Sequence, residues 1–189
     1  MKSLKELILS SGISPEKEKE FIKSIRKIKI KKGTLLQMKG DVNNKSYFVC
    51  SGMLRSYTID AKGKEHVFMF APEGWIIGDF QTYNNEIPTE LFIDALEDSE
   101  IEVIDSKNLQ EVDDLPQESL VKQVNLLSKR VGVLQNRILM LMSATALERY
   151  QEFLKTYPNI SQRVPQKLIA SYLGITPEAL SKIRRQMVK

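Results

Sequence analysis

The spacing of apolar residues changes period twice along this chain, and the changes divide it into three stretches. In residues 1–26, Leu4, Leu7 and Ile8, then Phe21, Ile22 and Ile25, recur at helical intervals around a Ser14-Pro15-Glu16 helix start. Lys27-Ile28-Lys29-Ile30-Lys31 then alternates as a strand does, and Gly33 ends it. From there to Asp105 the pattern predicts short strands over Ser46 to Ser51, Met53 to Ile59, Glu65 to Ala71, Thr89 to Leu96 and Ile101 to Asp105. Turn residues divide them: Gly40-Asp41, the hairpin connection Asp60 to Lys64, and Pro72-Glu73-Gly74. Short strands at regular spacing imply a sandwich or jelly roll.

Past Leu115-Pro116 the period becomes that of a long helix. Leu120, Val124, Leu127, Val131, Leu134, Ile138 and Leu141 alternate steps of four and three, which is a heptad seam, and such a seam wants a partner helix. Val121, Val133, Leu139, Met140 and Met142 broaden the stripe, and Gly132 weakens the helix by about 1 kcal/mol of propensity. A parallel homodimer is the expected use of the seam. A further helix over Ala144 to Tyr157 closes at Pro158-Asn159.

The segment from Gln166 to Arg185 reads as two short helices joined at Gly174. Leu168, Ile169 and Leu173 would be buried, and Ala170 would let the second helix approach closely. Ile175 would plug the corner, Thr176 would cap the second helix, and Pro177 fits the first helical position, which needs no backbone donor. Leu180 and Ile183 would face inward. Glu178, Ser181, Lys182 and Arg185 would lie outside, as in a recognition helix entering a DNA groove, with Gln166 and Arg184 as further contacts. A helical hairpin that only packs is the plainer alternative.

Charge sharpens this division. The formal net charge of +4 conceals ten basic and four acidic residues in 1–32, six and seventeen in 33–120, and ten and three in 130–189. An acidic middle and a basic end suit different partners, and the basic end suits phosphate. With 42% hydrophobic and 28% charged residues the composition is that of a soluble globular protein. No apolar run reaches about 18 residues, and MKSLKELILSSG is too short and too charged for a signal peptide, so a cytoplasmic protein without a membrane partner is expected. Cys50, the single cysteine, can form neither an intramolecular disulfide nor a cysteine-ligated cluster and reads as a buried small hydrophobe. His66, the single histidine, cannot assemble a cupin metal site. A structural role is expected for it, with haem ligation the minor option and no metal otherwise. No phosphate loop, nucleophile elbow or zinc cluster is present, so an enzyme is not expected.

The order of these parts resembles the Crp/Fnr superfamily of bacterial transcription regulators. The residues carrying the resemblance are Gly33-Thr34-Leu35-Leu36 leading to Gly40-Asp41, Tyr47-Phe48-Val49 before Ser51-Gly52, Gly74-Trp75-Ile76-Ile77-Gly78-Asp79, the run Ala95 to Ser99, and the terminal motif. The resemblance implies an α+β protein. An N-terminal cyclic-nucleotide-binding-like jelly roll with its leading helices would occupy 1–116, a dimerisation helix 117–142, and a winged-helix-like helix-turn-helix domain lacking a full wing 143–189. It implies a homodimer on palindromic double-stranded DNA, with RNA polymerase as a further partner and a small-molecule effector of unknown identity. A sensory or scaffold protein of the same fold without DNA binding is the alternative.

Two departures from the family pattern matter. Members that bind cyclic nucleotides use a Gly-Glu pair and an Arg-Ser/Thr-Ala element, whereas this chain has Gly78-Asp79 and Pro88-Thr89-Glu90, with no Arg or Lys between Asp79 and Leu96. An effector pocket of Gly78, Asp79, Phe80, Thr89 and Glu90 is therefore expected not to take cyclic AMP in the familiar way, since the phosphate would lack a cation. Trp75, Phe80 and Met69 could line a place for an apolar effector instead. On the recognition helix, the family's Arg-Glu pair and later Arg correspond to Pro177, Glu178 and Lys182, which implies an altered base preference.

Overall fold

Among the described residues the alternating stretches fold as eight strands in two four-stranded sheets. A computed structural model of the chain describes residues 22–42, 45–79, 87–105 and 117–187, with Leu4 and Lys19 besides. One sheet has the order β1-β8-β3-β6, from β1 (Arg26–Ile30), β8 (Ser99–Asp105), β3 (Lys45–Ser51) and β6 (Ile76–Gly78). The other has the order β2-β7-β4-β5, from β2 (Leu35–Gln37), β7 (Phe92–Ala95), β4 (Met53–Ile59) and β5 (Glu65–Pro72). This is the jelly-roll-like sandwich that the strand pattern predicts. Between the sheets lie Tyr47, Val49, Leu54, Ala71, Ile77, Ile93, Ala95, Ile101 and Val103, the inward alternate residues of the strands.

Register follows the pleat. Ile28 pairs with Ile101 and Ile30 with Ser99, so the isoleucines of β1 pack against the core while Lys27 and Lys29 stay exposed. The lysine-rich edge strand is also the kind that resists pairing with another chain. A smaller cluster of Leu4, Phe48 and Ile104 includes half-buried Ile22, Ile25, Ile76 and Cys50. Cys50 is thus less enclosed than its sequence context suggests, and its thiol is shifted upward by burial first and by the nearby Glu102 carboxylate second. The helical reading of 1–26 holds at Leu4, Lys19 and 22–24, but it runs too far: Ile25 is no longer helical and Arg26 already pairs with Val103 in β1; the remainder lies outside the described residues.

Five helices are described after the strands: α1 (Gln117–Ser143), α2 (Ala146–Thr156), α3 (Ile160–Arg163), α4 (Gln166–Leu173) and α5 (Pro177–Met187). Thr145 starts α2 with a capping box: its side chain accepts from the Glu148 N–H, and the Glu148 carboxylate accepts from the Thr145 N–H at 2.7 Å. Strands β2 and β6 and the single-turn α3 are additions to the elements read from sequence. Each spans only three or four residues, too few for a period to show.

By its internal contacts the chain forms two units. One comprises 1–58 and 69–126, and the other 59–68 and 127–189. The second is therefore not purely C-terminal, because it includes the connection between β4 and β5.

Candidate DNA-binding surface and sensory site

Helices α4 and α5 are held at a fixed angle by a local device that the sequence spells out. Gly174 takes a left-handed conformation, φ 65°, which glycine adopts without the steric cost a side chain brings. The following N–H, of Ile175, then bonds to the Ala170 carbonyl at 3.0 Å. Arg149 of α2 donates from Nη1 to the Leu173 carbonyl at 2.7 Å, satisfying an acceptor that the end of the helix leaves open. Leu168, Ile169, Ala170, Leu173, Leu180 and Ile183 are all buried, as the spacing predicts.

An aromatic group completes this core. Phe153 lies 5.4 Å from Tyr157 and 5.5 Å from Tyr172 between ring centroids, and Tyr157 meets Tyr172 edge-on at 5.7 Å. Sequence reasoning missed this cluster, which joins α2 and the residue that ends it to α4.

Burial of Leu180 and Ile183 turns the polar side of α5 outward. Thr176 caps the helix, its hydroxyl accepting the Ala179 N–H at 3.2 Å, and Pro177 follows. Thr176, Pro177, Glu178, Lys182 and Arg185 are exposed, while Ser181 and Arg184 are half-buried. Exposed Gln166, at the start of α4, accepts from the Ser181 hydroxyl at 3.4 Å, so residues fifteen positions apart share one surface. Glu178 is turned back on its own helix: its backbone N–H and the Thr176 hydroxyl hold its carboxyl below the ordinary range.

Helix α1 has 27 residues, about 40 Å of helix, and its seam is bare. Leu120, Val124, Leu127, Val131, Leu134, Ile138 and Leu141 are each 44% to 60% exposed. Val121, Val133, Leu139 and Met142 widen this apolar surface. A continuous exposed stripe of this kind marks an association surface.

In the β-sandwich the expected effector residues are arranged less openly. Gly78 pairs with Ser46, and a Cβ there would overlap the Ser46 hydroxyl and crowd the Lys45 carbonyl, so close strand approach explains this glycine. Asp79 and Thr89 are buried and hydrogen-bonded, the Thr89 hydroxyl donating to Asp79 Oδ2. The same hydroxyl accepts from Gln37 Nε2 and from the Leu91 N–H, each at 3.0 Å. Gln37, absent from the expected site, is as enclosed as Thr89, at 1% exposure.

Glu90 is exposed and pairs with Lys39 at 2.6 Å. Asp94, a neighbour in sequence, takes both Nε and Nη2 of Arg55 at 2.8 Å, and the guanidinium lies 4.0 Å over the Tyr57 ring. The cations that serve these carboxylates thus come from the β2 end and from β4. Phe80 lies outside the described residues, and half-buried Met69 and Trp75 pack against the main core. His66 presents Nε2 to Asp60 Oδ2 at 2.8 Å. No helix among the described residues is long and apolar enough to cross a membrane.

Residues 27–114 match the cyclic nucleotide-binding domain family. Over 172 residues the chain is 28% identical to the fumarate and nitrate reduction regulatory protein of Salmonella typhimurium, which covers 84% of this chain and 67% of that protein. Its fold is that of FixK2 from Bradyrhizobium japonicum, with a TM-score of 0.72, 19% identity, and coverage of 86% of this chain and 84% of the other. It is equally the fold of a protein from Eubacterium rectale described as a transcriptional regulator of the Crp/Fnr family, with a TM-score of 0.69, 19% identity, and coverage of 94% and 85%.

Proposed function

We infer that this chain, a homologue of the Crp/Fnr transcription regulators carrying a cyclic nucleotide-binding domain over residues 27–114, is itself a DNA-binding transcription regulator. One observation carries the reading: burial of Leu180 and Ile183 presents Lys182 and Arg185 on the outer side of α5, beside Ser181 and Gln166. Lys182 and Arg185 supply donors for guanine and phosphate, and Thr176, Pro177 and Glu178 form the leading edge that enters the groove. Arg184 supports phosphate contact.

The bare seam of α1 pairs two copies, so two recognition helices meet a palindromic site. Residues 1–116 sense, 117–142 dimerise and 143–189 read DNA. The effector is not cyclic AMP held in the familiar way. Asp79 and Thr89 bond to each other, Lys39 and Arg55 already serve Glu90 and Asp94, and a cyclic phosphate placed there would meet carboxylates.

Selection of bound duplexes from random DNA, followed by fluorescence anisotropy at two salt concentrations, tests the reading. The expected outcome is a palindromic consensus bound by a dimer, with affinity falling steeply as salt rises. Failure to enrich any sequence would favour a sensory or scaffold role without DNA binding. Light scattering that gives a monomer would remove the seam from the mechanism.

A further inference from the structure

Two hydrogen-bonding atoms inside the β-sandwich are left over once its polar residues have satisfied one another. Among the described residues only three buried side-chain nitrogen or oxygen atoms have no partner, and two of them, Gln37 Oε1 and Ser56 Oγ, flank a single residue. Gln37 of β2 and Ser56 of β4 both stand opposite Ile93 of β7, which lies between them. Directly opposed residues share a face, and Ile93 belongs to the core between the sheets, so both polar side chains look inward. Each is 1% exposed. Buried polar atoms are as a rule bonded, so two orphans beside one isoleucine call for a reason.

The Gln37 amide is not free to turn over. Its Nε2 donates at 3.0 Å to the Thr89 hydroxyl and at 3.0 Å to the Leu91 carbonyl. The Thr89 hydroxyl has given its one proton to Asp79 Oδ2, and a carbonyl can only accept, so both places require the amide nitrogen. Oε1 is thereby fixed as an open acceptor. The donors of this chain all run toward Asp79, from Gln37 through Thr89, and what it presents at its far end is the negative end of an amide dipole. Ser56, on the other side of Ile93, adds a hydroxyl that can give a proton or accept one.

We propose that Gln37 and Ser56 bind a small uncharged molecule with an apolar body and an N–H or O–H donor. The donor meets Gln37 Oε1, the body lies on Ile93, and a second polar atom meets the Ser56 hydroxyl. This names the chemical class of the effector, and it rests on the reading of residues 1–116 as sensory. An anion has no proton to offer Oε1 and faces Asp79 at the end of the same chain. A cation would have to shed its water among Ile93, Leu54 and Ala95, with Asp79 already bonded to Thr89. Strands β2 and β4 are two strand spacings apart, about 10 Å, so a single ring with one polar substituent is enough to reach both side chains. Asp79 and Thr89, in the pocket expected from sequence, then support the contact that Gln37 makes.

Benzamide, benzoate and benzamidine share one shape and differ in charge, which suits them as probes. Each is titrated into the full wild-type chain and into Ser56→Ala, followed by NMR of the Ile93 methyl groups and the Gln37 side-chain amide, and by the thermal midpoint. Benzamide should shift both signals and bind wild type with a Kd of about 1 mM, as suits a molecule of its size. Benzoate and benzamidine should bind about tenfold more weakly or worse. Ser56→Ala should weaken benzamide binding about fivefold while its unliganded midpoint stays level or rises, because alanine removes an unsatisfied hydroxyl. A residue that served only the fold would not combine weaker binding with undiminished stability. The proposal is overturned by unchanged signals at about 10 mM benzamide, by equal binding of either charged analogue, or by benzamide affinity in Ser56→Ala within about twofold of wild type. A lower unliganded midpoint in Ser56→Ala overturns it as well, since the hydroxyl then serves the fold. Benzamide that binds as expected without changing affinity for the selected duplex leaves this site standing and removes the sensory reading instead.

Discussion

The outer side of α5 and the Asp79–Thr89 region of the β-sandwich are both rich in polar residues, yet they use them in opposite ways. Along α5, Lys182 and Arg185 are exposed on a helix secured by its buried side and its Thr176 cap, and beyond a 3.4 Å bond from Arg185 Nε to the Ser181 carbonyl their charges face outward. In the sandwich the carboxylates are engaged: Asp79 by Thr89, Glu90 by Lys39, Asp94 by Arg55. Polar residues on a surface built to bind can be removed without loss of fold, whereas polar residues that satisfy one another inside a sheet cannot. The difference separates a site that recognises from one whose polar groups also hold the structure.

The sharpest way to break the comparison is at Asp94. The Arg55–Asp94 pair is 8% and 14% exposed, so Asp94→Ala would leave an enclosed guanidinium without its counter-charge. That should cost about 3–5 kcal/mol in urea unfolding of the β-sandwich. Joint replacement with Arg55→Met should recover much of the loss, since no stranded charge remains. A cost below about 1 kcal/mol for Asp94→Ala would mean that the pair is solvated, as surface ion pairs are.

On the reading surface the opposite pattern is expected. Lys182→Ala and Arg185→Ala should each weaken binding to the selected duplex by about 1–3 kcal/mol where the side chain meets a base. Where one meets only phosphate, the salt slope should fall by about 1 instead. Unfolding midpoints should stay within about 0.5 kcal/mol of wild type, as for surface substitutions away from caps and cores. Equal binding by the double variant would place recognition elsewhere.

The same contrast governs what could be read from the sequence. The helix-turn-helix is a local structure: the small Ala170, the turn at Gly174, the Thr176 cap and the inward Leu180 and Ile183 lie within fourteen residues. Periodicity alone places them. The heptad seam is legible for the same reason. In the sandwich, the segment from Asp79 to Leu96 holds no cation of its own, and the partners are Lys39 and Arg55, brought there by pairing of β2 and β4 with β7. Gln37 is not legible because β2 is only three residues long, too short for a period to show. The connection between β4 and β5 is a stronger case. Ser171 and Glu65 are 106 residues apart, and no hydrophobic period records a hydroxyl bridging two backbone groups.

Between the two extremes stands Thr176, which both edges the reading surface and caps α5. Thr176→Ala should lower the stability of the helical unit by about 1 kcal/mol through loss of the bond to the Ala179 N–H. It also releases the Glu178 carboxyl from one of the two donors that hold it. The Glu178 pKa, followed by NMR, should therefore rise toward the ordinary value in the variant. No movement of that pKa would mean that the helix N-terminus alone sets it, and Thr176 would then act as a cap without orienting a base-reading acid.

The smallest effect is expected at the turn between β4 and β5, and its sign follows from the Asp60 carboxyl. The side-chain bond from His66 chiefly, with backbone bonds from Lys64 and Lys62, lowers its pKa from 3.8 to about 2. A carboxyl whose folded pKa is depressed contributes its stabilisation above the unfolded value and loses it as pH falls through the folded one. The turn should therefore keep its bonds at pH 5 and surrender them between about pH 4 and pH 2. Because Asp60 is solvent-exposed, water takes over much of each lost bond, and the change should show as faster exchange of the Lys62 and Lys64 amides rather than as global unfolding. Asp60→Asn should abolish the pH dependence in that window. If the wild-type exchange rates, corrected for the intrinsic effect of pH, stay flat from pH 5 to pH 2, the carboxylate does not hold the turn, and the backbone bonds from the Asp60 N–H to the Lys64 carbonyl and from the Gly63 N–H to the Asp60 carbonyl close it instead.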